Sequence, residues 1–360
     1  MSFRQKRSVL LASVALLFLF SILDISFLEE DVFERFGKQF VNEQKMDDYS
    51  GSKRAFTVTA HLQSEIKKQD IKEVLLASHR GKVTVKRSDT PNILLEYTVT
   101  TTGADAEGAN RRRDAVKIEE EIQNGQLTLV TKANGKPIDP DYVSIDYVLS
   151  MPDGMKVAIQ SEDGDVRISG TNGNVSATST NGLMEIVDVK GNLSVKSTYG
   201  NLYVADIMGD VELESSRSSK VTIDHTQGNL VLNNHSSNTY LTDVTGKISG
   251  KAQYGTVYFR EIKGLVDVKG IGSDLQFDHM QGDTRIVSES GGNLTFILPK
   301  DEGYTVDAAV SQGRIRTLLP LPVQKVIDNE NETHMSGIIG KGTRKVDIKM
   351  KSGDLIVQGN

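Results

Sequence analysis

The feature that most limits what this chain can fold into is a turn residue that returns every nine positions. Gly164, Gly173, Gly182, Gly191, Gly200 and Gly209 stand nine apart. The register continues through Ser219, Gly228, Ser237, Gly246, Gly255, Gly264, Ser273, Gly282 and Gly292, with only two steps of ten. Asn or Asp follows most of them, as at Asp165, Asn174, Asn192, Asn201, Asp210, Asn229, Asp283 and Asn293. Gly, Asn and Asp tolerate positive φ, so the pair predicts a turn set ahead of a strand. Apolar residues two apart come next, among them Val166/Ile168, Leu193/Val195, Leu230/Leu232, Val257/Phe259 and Leu294/Phe296. A period of two with one apolar side is a strand with one buried face.

The nonamers alternate in kind. Ser161, Ser179, Ser197 and Ser288 introduce one type; Asp188, Asp206, Asp224, Asp243, Glu261 and Asp278 introduce the other. The structural unit is therefore a coil of about 18 residues carrying two strands, and stacked coils bury together the apolar row that one coil leaves open. The expected fold is all-β: a single-stack β-solenoid (β-helix) over residues 153–298, preceded by a β region over 55–152 and followed by a β block and cap over 299–360. Within the first region, Gly103 to Arg113 is polar and reads as a loop, with Arg111, Arg112 and Arg113 solvated or touching anionic polymer. Within the last, Leu319 to Gly342 reads as a loop or cap over the open end of the stack. The sparse aromatics, the absence of Trp and the 32 glycines suit slim strands and many turns.

The N-terminus supplies an address. Arg4, Lys6 and Arg7 precede an apolar run from Ser8 to Leu23 that resumes after Asp24 as far as Leu28. Acidic residues Glu29, Glu30, Asp31 and Glu34 follow. This predicts a cytoplasmic head over 1–7, a single transmembrane signal-anchor helix over 8–28 and a juxtamembrane stalk over 29–54, with the rest of the chain extracellular. The rival reading, a cleaved signal peptide, lacks small residues at the required positions before a cut. The chain has no Cys, which excludes disulfides, thiolate metal sites and cysteine nucleophiles. A net charge of −6 argues against a nucleic-acid partner.

Tyr142 to Ile168, the nonamers after it, and the ending Gly340-Lys341-Gly342 with Ser352-Gly353-Asp354-Leu355 resemble the "putative adhesin" family of domains of unknown function. That family includes LiaG-type membrane-anchored envelope proteins of Gram-positive bacteria. The resemblance covers about residues 70 to 360; it implies a β-solenoid at the cell surface and brings no catalytic residues.

Calcium-binding rolls need paired glycines and an Asp arranged G-G-x-G-x-D, whereas here one glycine marks each nonamer and an apolar residue follows Asn or Asp directly. The column of acids from Asp188 to Asp278 reads as turn capping rather than a cation site. His225 and His279, each after such an Asp, are three coils apart and read as exposed turn residues. No G-x-S-x-G elbow appears. Asp267, Glu261 and Arg285 offer only a weak approximation to a pectate-lyase-like site. No catalytic residue, metal or cofactor is therefore expected.

The remaining candidate is a row of outward residues: Arg167, Glu185, Tyr203, Thr222, Tyr240, Tyr258, Gln276 and Thr295. Tyr203, Tyr240 and Tyr258 form a possible binding row whose rings could stack on sugar faces or a partner protein; the alternative is that Tyr simply favours strands. The expected function is a non-catalytic adhesion, binding or envelope scaffold module. Its partners would be the cell membrane and either cell-wall polymer or an envelope or membrane sensor protein. An accessory role in envelope-stress signalling and a carbohydrate-active β-helix enzyme are the alternatives.

Overall fold

The computed structural model describes residues 56–67, 70–299, 303–318, 323–329 and 332–359. The expected head, membrane span and stalk lie outside them. Among the described residues no helix is long and apolar enough to cross a membrane.

Strands dominate, and they join into a fourteen-stranded and a sixteen-stranded sheet among the described residues. From strand Lys156–Asp163 to strand Leu294–Leu298 the chain visits the two sheets alternately, and every neighbour within a sheet is parallel. Each residue lies beside its counterpart one coil on. In the fourteen-stranded sheet Val166, Met184, Leu202, Val221, Thr239, Val257, Leu275 and Leu294 form one inward column. In the sixteen-stranded sheet Val157, Val175, Leu193, Val211, Leu230, Ile248 and Val266 form another. All of these side chains are buried, so the core runs between the sheets. Stacking places like on like: Phe259, Phe277 and Phe296 lie ring on ring, with centroids 4.6 and 4.5 Å apart.

The corners explain the repeat. A Cβ on Gly264 would be driven into the carbonyl oxygen of Gly246, and one on Gly246 into that of Gly228. Close backbone approach, coil upon coil, is what demands glycine there. The following Asn or Asp has a different task from the one the sequence suggested. None of Asp165, Asn174, Asn192, Asp210 and Asn229 takes positive φ. Instead each side chain accepts a hydrogen bond from the backbone N–H one coil further: Asn192 N donates to Asn174 Oδ1 (3.0 Å), Asp210 N to Asn192 Oδ1 (3.1 Å) and Asn229 N to Asp210 Oδ1 (2.9 Å). The introducing serines point inward. Ser179 Oγ donates to Asn181 O at 3.0 Å and Ser215 Oγ to Asn234 Oδ1 at 2.8 Å, which satisfies buried hydroxyls at the corner.

Turn glycines such as Gly182, Gly228 and Gly246 do take positive φ, and among the non-glycine residues of the stack it falls at two columns of turn residues. One comprises Asp188, Asp206, His225, Asp243, Glu261 and His279; the other includes Tyr199, Arg217, Ser236, Tyr254 and Gly272. The acidic column is thus misread by one residue in two coils: Ala205 pairs with Asp224 and Arg260 with Asp278, which places His225 and His279 in the column. The two extra residues that lengthen the period lodge in the corner between the sheets, at Arg217–Lys220 and Glu289–Asn293, and leave the strands in register.

Two segments depart from expectation. Ala106–Ala115 is an α-helix rather than a loop. Asp105 caps it by accepting from Gly108 N at 2.6 Å, Glu107 sits in the first turn, and Arg112 and Arg113 sit in the last, where cations favour the helix dipole. Ala109 is buried and its carbonyl accepts from Thr101 Oγ1 at 2.7 Å. Likewise, Leu319 to Gly342 is not merely a loop. It contains strands Val323–Asn329 and Glu332–Ile339, an antiparallel pair that docks on strand Tyr304–Gln312 and extends the sixteen-stranded sheet.

Both ends of the regular stack are interleaved. The coil of strands Glu73–Arg80 and Val83–Arg87 lies directly against Lys156–Asp163 and Val166–Thr171. Strands Arg344–Ser352 and Leu355–Gly359 insert between the Thr284–Leu298 coil and strands Tyr304–Gln312 and Ile315–Thr317. Antiparallel strands then cover the ends, as where Phe56–Ile66 pairs with Ile93–Gly103.

Leu230 is fully buried between Val211 and Ile248, whereas Val231 beside it is 40% exposed. Leu230→Ala should lower stability by about 2–5 kcal/mol through lost burial and a cavity. Val231→Ala should have much less effect. Urea midpoints of the two variants check the inward and outward assignment, and equal losses would contradict it.

Candidate binding surface

The outward residues form the expected row. Arg167, Glu185, Tyr203, Thr222, Tyr240, Tyr258, Gln276 and Thr295 are register partners in turn along the fourteen-stranded sheet. Tyr240 and Tyr258, on adjacent strands, stack with centroids 4.8 Å apart and planes 2° from parallel. Lys220 Nζ stands 5.5 Å from the Tyr240 ring centroid, within cation–π range. Tyr203 is separated from Tyr240 by Thr222. All three tyrosines are half-buried by their neighbours on the sheet. The row therefore holds one preformed aromatic pair and one separate ring.

The surroundings of the rings differ in charge. Burial raises the pKa of the Tyr203 phenol, and the carboxylates of Asp224, Asp206 and Glu185 raise it further. Burial also raises that of Tyr240, with a smaller contribution from Tyr258. Both phenols thus stay neutral hydrogen-bonding groups at physiological pH. Further along these strands His225 Nδ1 lies 3.1 Å from Asp224 Oδ2, its Nε2 3.8 Å from Asp243 Oδ2, and Lys263 Nζ donates to Asp243 Oδ1 at 2.8 Å. His279 Nδ1 is 2.7 Å from Asp278 Oδ1. The histidines are therefore local partners of the acids. Among the described residues no group of three or more His, Asp or Glu side chains is placed to hold a metal ion.

The remaining constellations resolve into local pairs. Arg111 bonds Glu107, Arg113 bonds Asp114, and Arg112 donates to Thr102 O while lying 4.4 Å from the centroid of the Tyr142 ring. Asp267 and Arg285 are register partners on the sixteen-stranded sheet, but Glu261 pairs with Arg260 on the other sheet.

A family model described as Toastrack DUF4097 matches residues 71–358. The chain belongs to the Toastrack family. This agrees with the resemblance read from the turn register and the ending. No curated protein matches the chain. Three solved structures align with it over most of their length. A "putative cell adhesion protein" from Clostridium sporogenes is 9% identical, covers 84% of this chain and 100% of its own, and has a TM-score of 0.21. A "putative adhesin" from Parabacteroides distasonis is 11% identical over 84% and 97% of the two chains, with a TM-score of 0.36. One from Bacteroides fragilis is 11% identical over 83% and 97%, with a TM-score of 0.27. Membership rests on the family match and not on these low-scoring superpositions.

Sequence reasoning about this Toastrack domain overlooked one set of side chains. Tyr199, Arg217, His235 and Tyr254 crowd the corner that leads into the fourteen-stranded sheet; Tyr199 and Tyr254 are 54% and 62% exposed. The only signal available was a Tyr immediately before the turn glycine, at Tyr199-Gly200 and Tyr254-Gly255.

Asp224 tests the electrostatics beside the tyrosine row. Burial raises its carboxyl pKa against the opposing influence of His225. A folded-state pKa above the unfolded value means that ionisation of Asp224 destabilises the fold as pH rises through the carboxylate range. Asp224→Asn, which keeps an oxygen for His225 N, should therefore melt higher than the parent near pH 7 and show little difference near about pH 3, where both states are protonated. Thermal melts at the two pH values check the sign.

Proposed function

We propose that the protein is a non-catalytic adhesion or scaffold module of the cell envelope, held outside the membrane by residues 8–28. The observation that carries this reading is the Tyr240–Tyr258 stack on the outer face of a parallel sheet. Parallel sheets are ordinarily covered on both faces. Here one face is turned outward and carries aligned aromatic rings at strand spacing, a surface suited to one extended partner such as a wall polymer. The basic head and acidic flank of the apolar run support the orientation, with the domain outside and the head inside.

Replacing Tyr203, Tyr240 and Tyr258 together by Ala should abolish most retention on purified cell envelopes, since each stacking contact contributes on the order of 1 kcal/mol. The fold should persist, because the inward columns are untouched. Unchanged retention would remove the row as the binding surface. For the topology, protease added to intact, wall-stripped cells should digest the domain and spare a short N-terminal fragment. Survival of the domain in sealed cells would refute the orientation.

A further inference from the structure

The corner that carries Tyr199, Arg217, Ser236 and Tyr254 has features that the sheet face does not explain. Coil after coil, these residues occupy one turn position with φ between 53° and 59°. One coil further the same position is Gly272, with φ 59°. Glycine adopts this conformation without steric penalty, whereas bulky side chains are strained in it. The same φ recurs in the column from Asp188 to His279, so the conformation belongs to the coil; what sets this corner apart is that Tyr, Arg and Tyr are displayed from it.

The displayed side chains are held in place. Arg217 Nη1 donates to the Tyr199 hydroxyl at 2.6 Å, and its guanidinium lies 5.5 Å from the centroid of that ring. His235 meets Tyr254 edge-on, with centroids 5.8 Å apart and planes at 88°. A guanidinium carries five N–H donors, so others remain after the bond to Tyr199. The turn pairs Thr198-Tyr199, Ser216-Arg217, His235-Ser236 and Gln253-Tyr254 contain no carboxylate, in a chain of net charge −6. The two rings lie three coils apart, about 14 Å at strand spacing.

We infer that this corner is a binding edge for an acidic sugar polymer, lying along the stack. Ring faces of two non-adjacent sugars of one chain stack on Tyr199 and Tyr254, Arg217 pairs with a carboxylate or other anionic group between them, and Ser216 and Gln253 bond its hydroxyls. The site is distinct from the outward row, because its side chains project from turn positions. The variants that test it leave Tyr203, Tyr240 and Tyr258 intact, so failure of either reading is seen in different proteins.

The test measures affinity of the full chain for immobilised polygalacturonate and hyaluronate, with neutral dextran and polyglutamate as comparison polymers. The wild type should bind the acidic polysaccharides in preference to both comparisons, and more weakly as salt rises. Arg217→Ala should weaken binding about tenfold, a loss that Arg217→Lys recovers in part. Tyr199→Gly/Tyr254→Gly should weaken it by about as much, with an unchanged or raised melting temperature because glycine relieves the turn. That pairing of lost binding with retained stability separates a ligand site from a structural corner. Three results would overturn the inference: a wild type that binds neither acidic polysaccharide, equal binding to polyglutamate or dextran, or Gly and Ala variants that bind as the wild type does.

Discussion

Everything in this stack depends on how closely one coil's backbone approaches the next at the corners. A Cβ on Gly264 would collide with the Gly246 carbonyl, so that corner admits little but glycine, whereas the other corner also takes serine, as at Ser237 and Ser273. Where the coil before carries Asn or Asp at that point, the proximity also brings a turn N–H within reach of its side chain, as at Asn174 and Asn192. Once corners are locked in this way, strands between them have little choice of register. Inward columns then put Leu230 between Val211 and Ile248, and outward columns put Tyr240 against Tyr258. Core and surface are two consequences of one spacing.

Much of this was legible in the chain because its signals are periodic. Side-chain alternation in a strand has a period of two, so the outward row from Arg167 to Thr295 could be counted out residue by residue. Where counting failed, a local event had no periodic trace. An extra residue in the Arg217–Lys220 corner shifts the numbering by one, so the acidic pattern points to Asp224 where the turn residue is His225. The Ala106–Ala115 helix was hidden because its polar, arginine-rich sequence resembles a loop; Asp105 and Glu107 were the cues that marked it. The chemistry of Gly-Asn pairs was half legible. Their recurrence announced a turn, but hydrogen bonding between coils is a property of neighbours 18 or 19 residues away.

The candidate surface divides along the same line. Tyr203, Tyr240 and Tyr258 were found because they obey the strand period. Tyr199 and Tyr254 were missed because they stand where the period is interrupted, in a backbone conformation that sequence alone does not reveal. A repeat fold of this kind has two sorts of exterior: sheet faces, where side chains are spaced by the hydrogen-bond ladder, and corners, where the turn conformation decides what is displayed. The faces vary at little energetic penalty, whereas bulky corner residues retain strain.

The insertion of Arg344–Ser352 and Leu355–Gly359 between earlier strands bears on the order of assembly. A simple solenoid can lengthen one coil at a time as the chain emerges, and losing its tail removes only an outer rung. Here a chain that has emerged only as far as Gln312 lacks an inner rung, so Tyr304–Gln312 has no Arg344–Ser352 strand to rest on. Closure of that end must await the synthesis of Arg344–Ser352 and Leu355–Gly359. A nascent chain therefore presents an open edge until both inserted strands have emerged, and they act as a keystone rather than a trim.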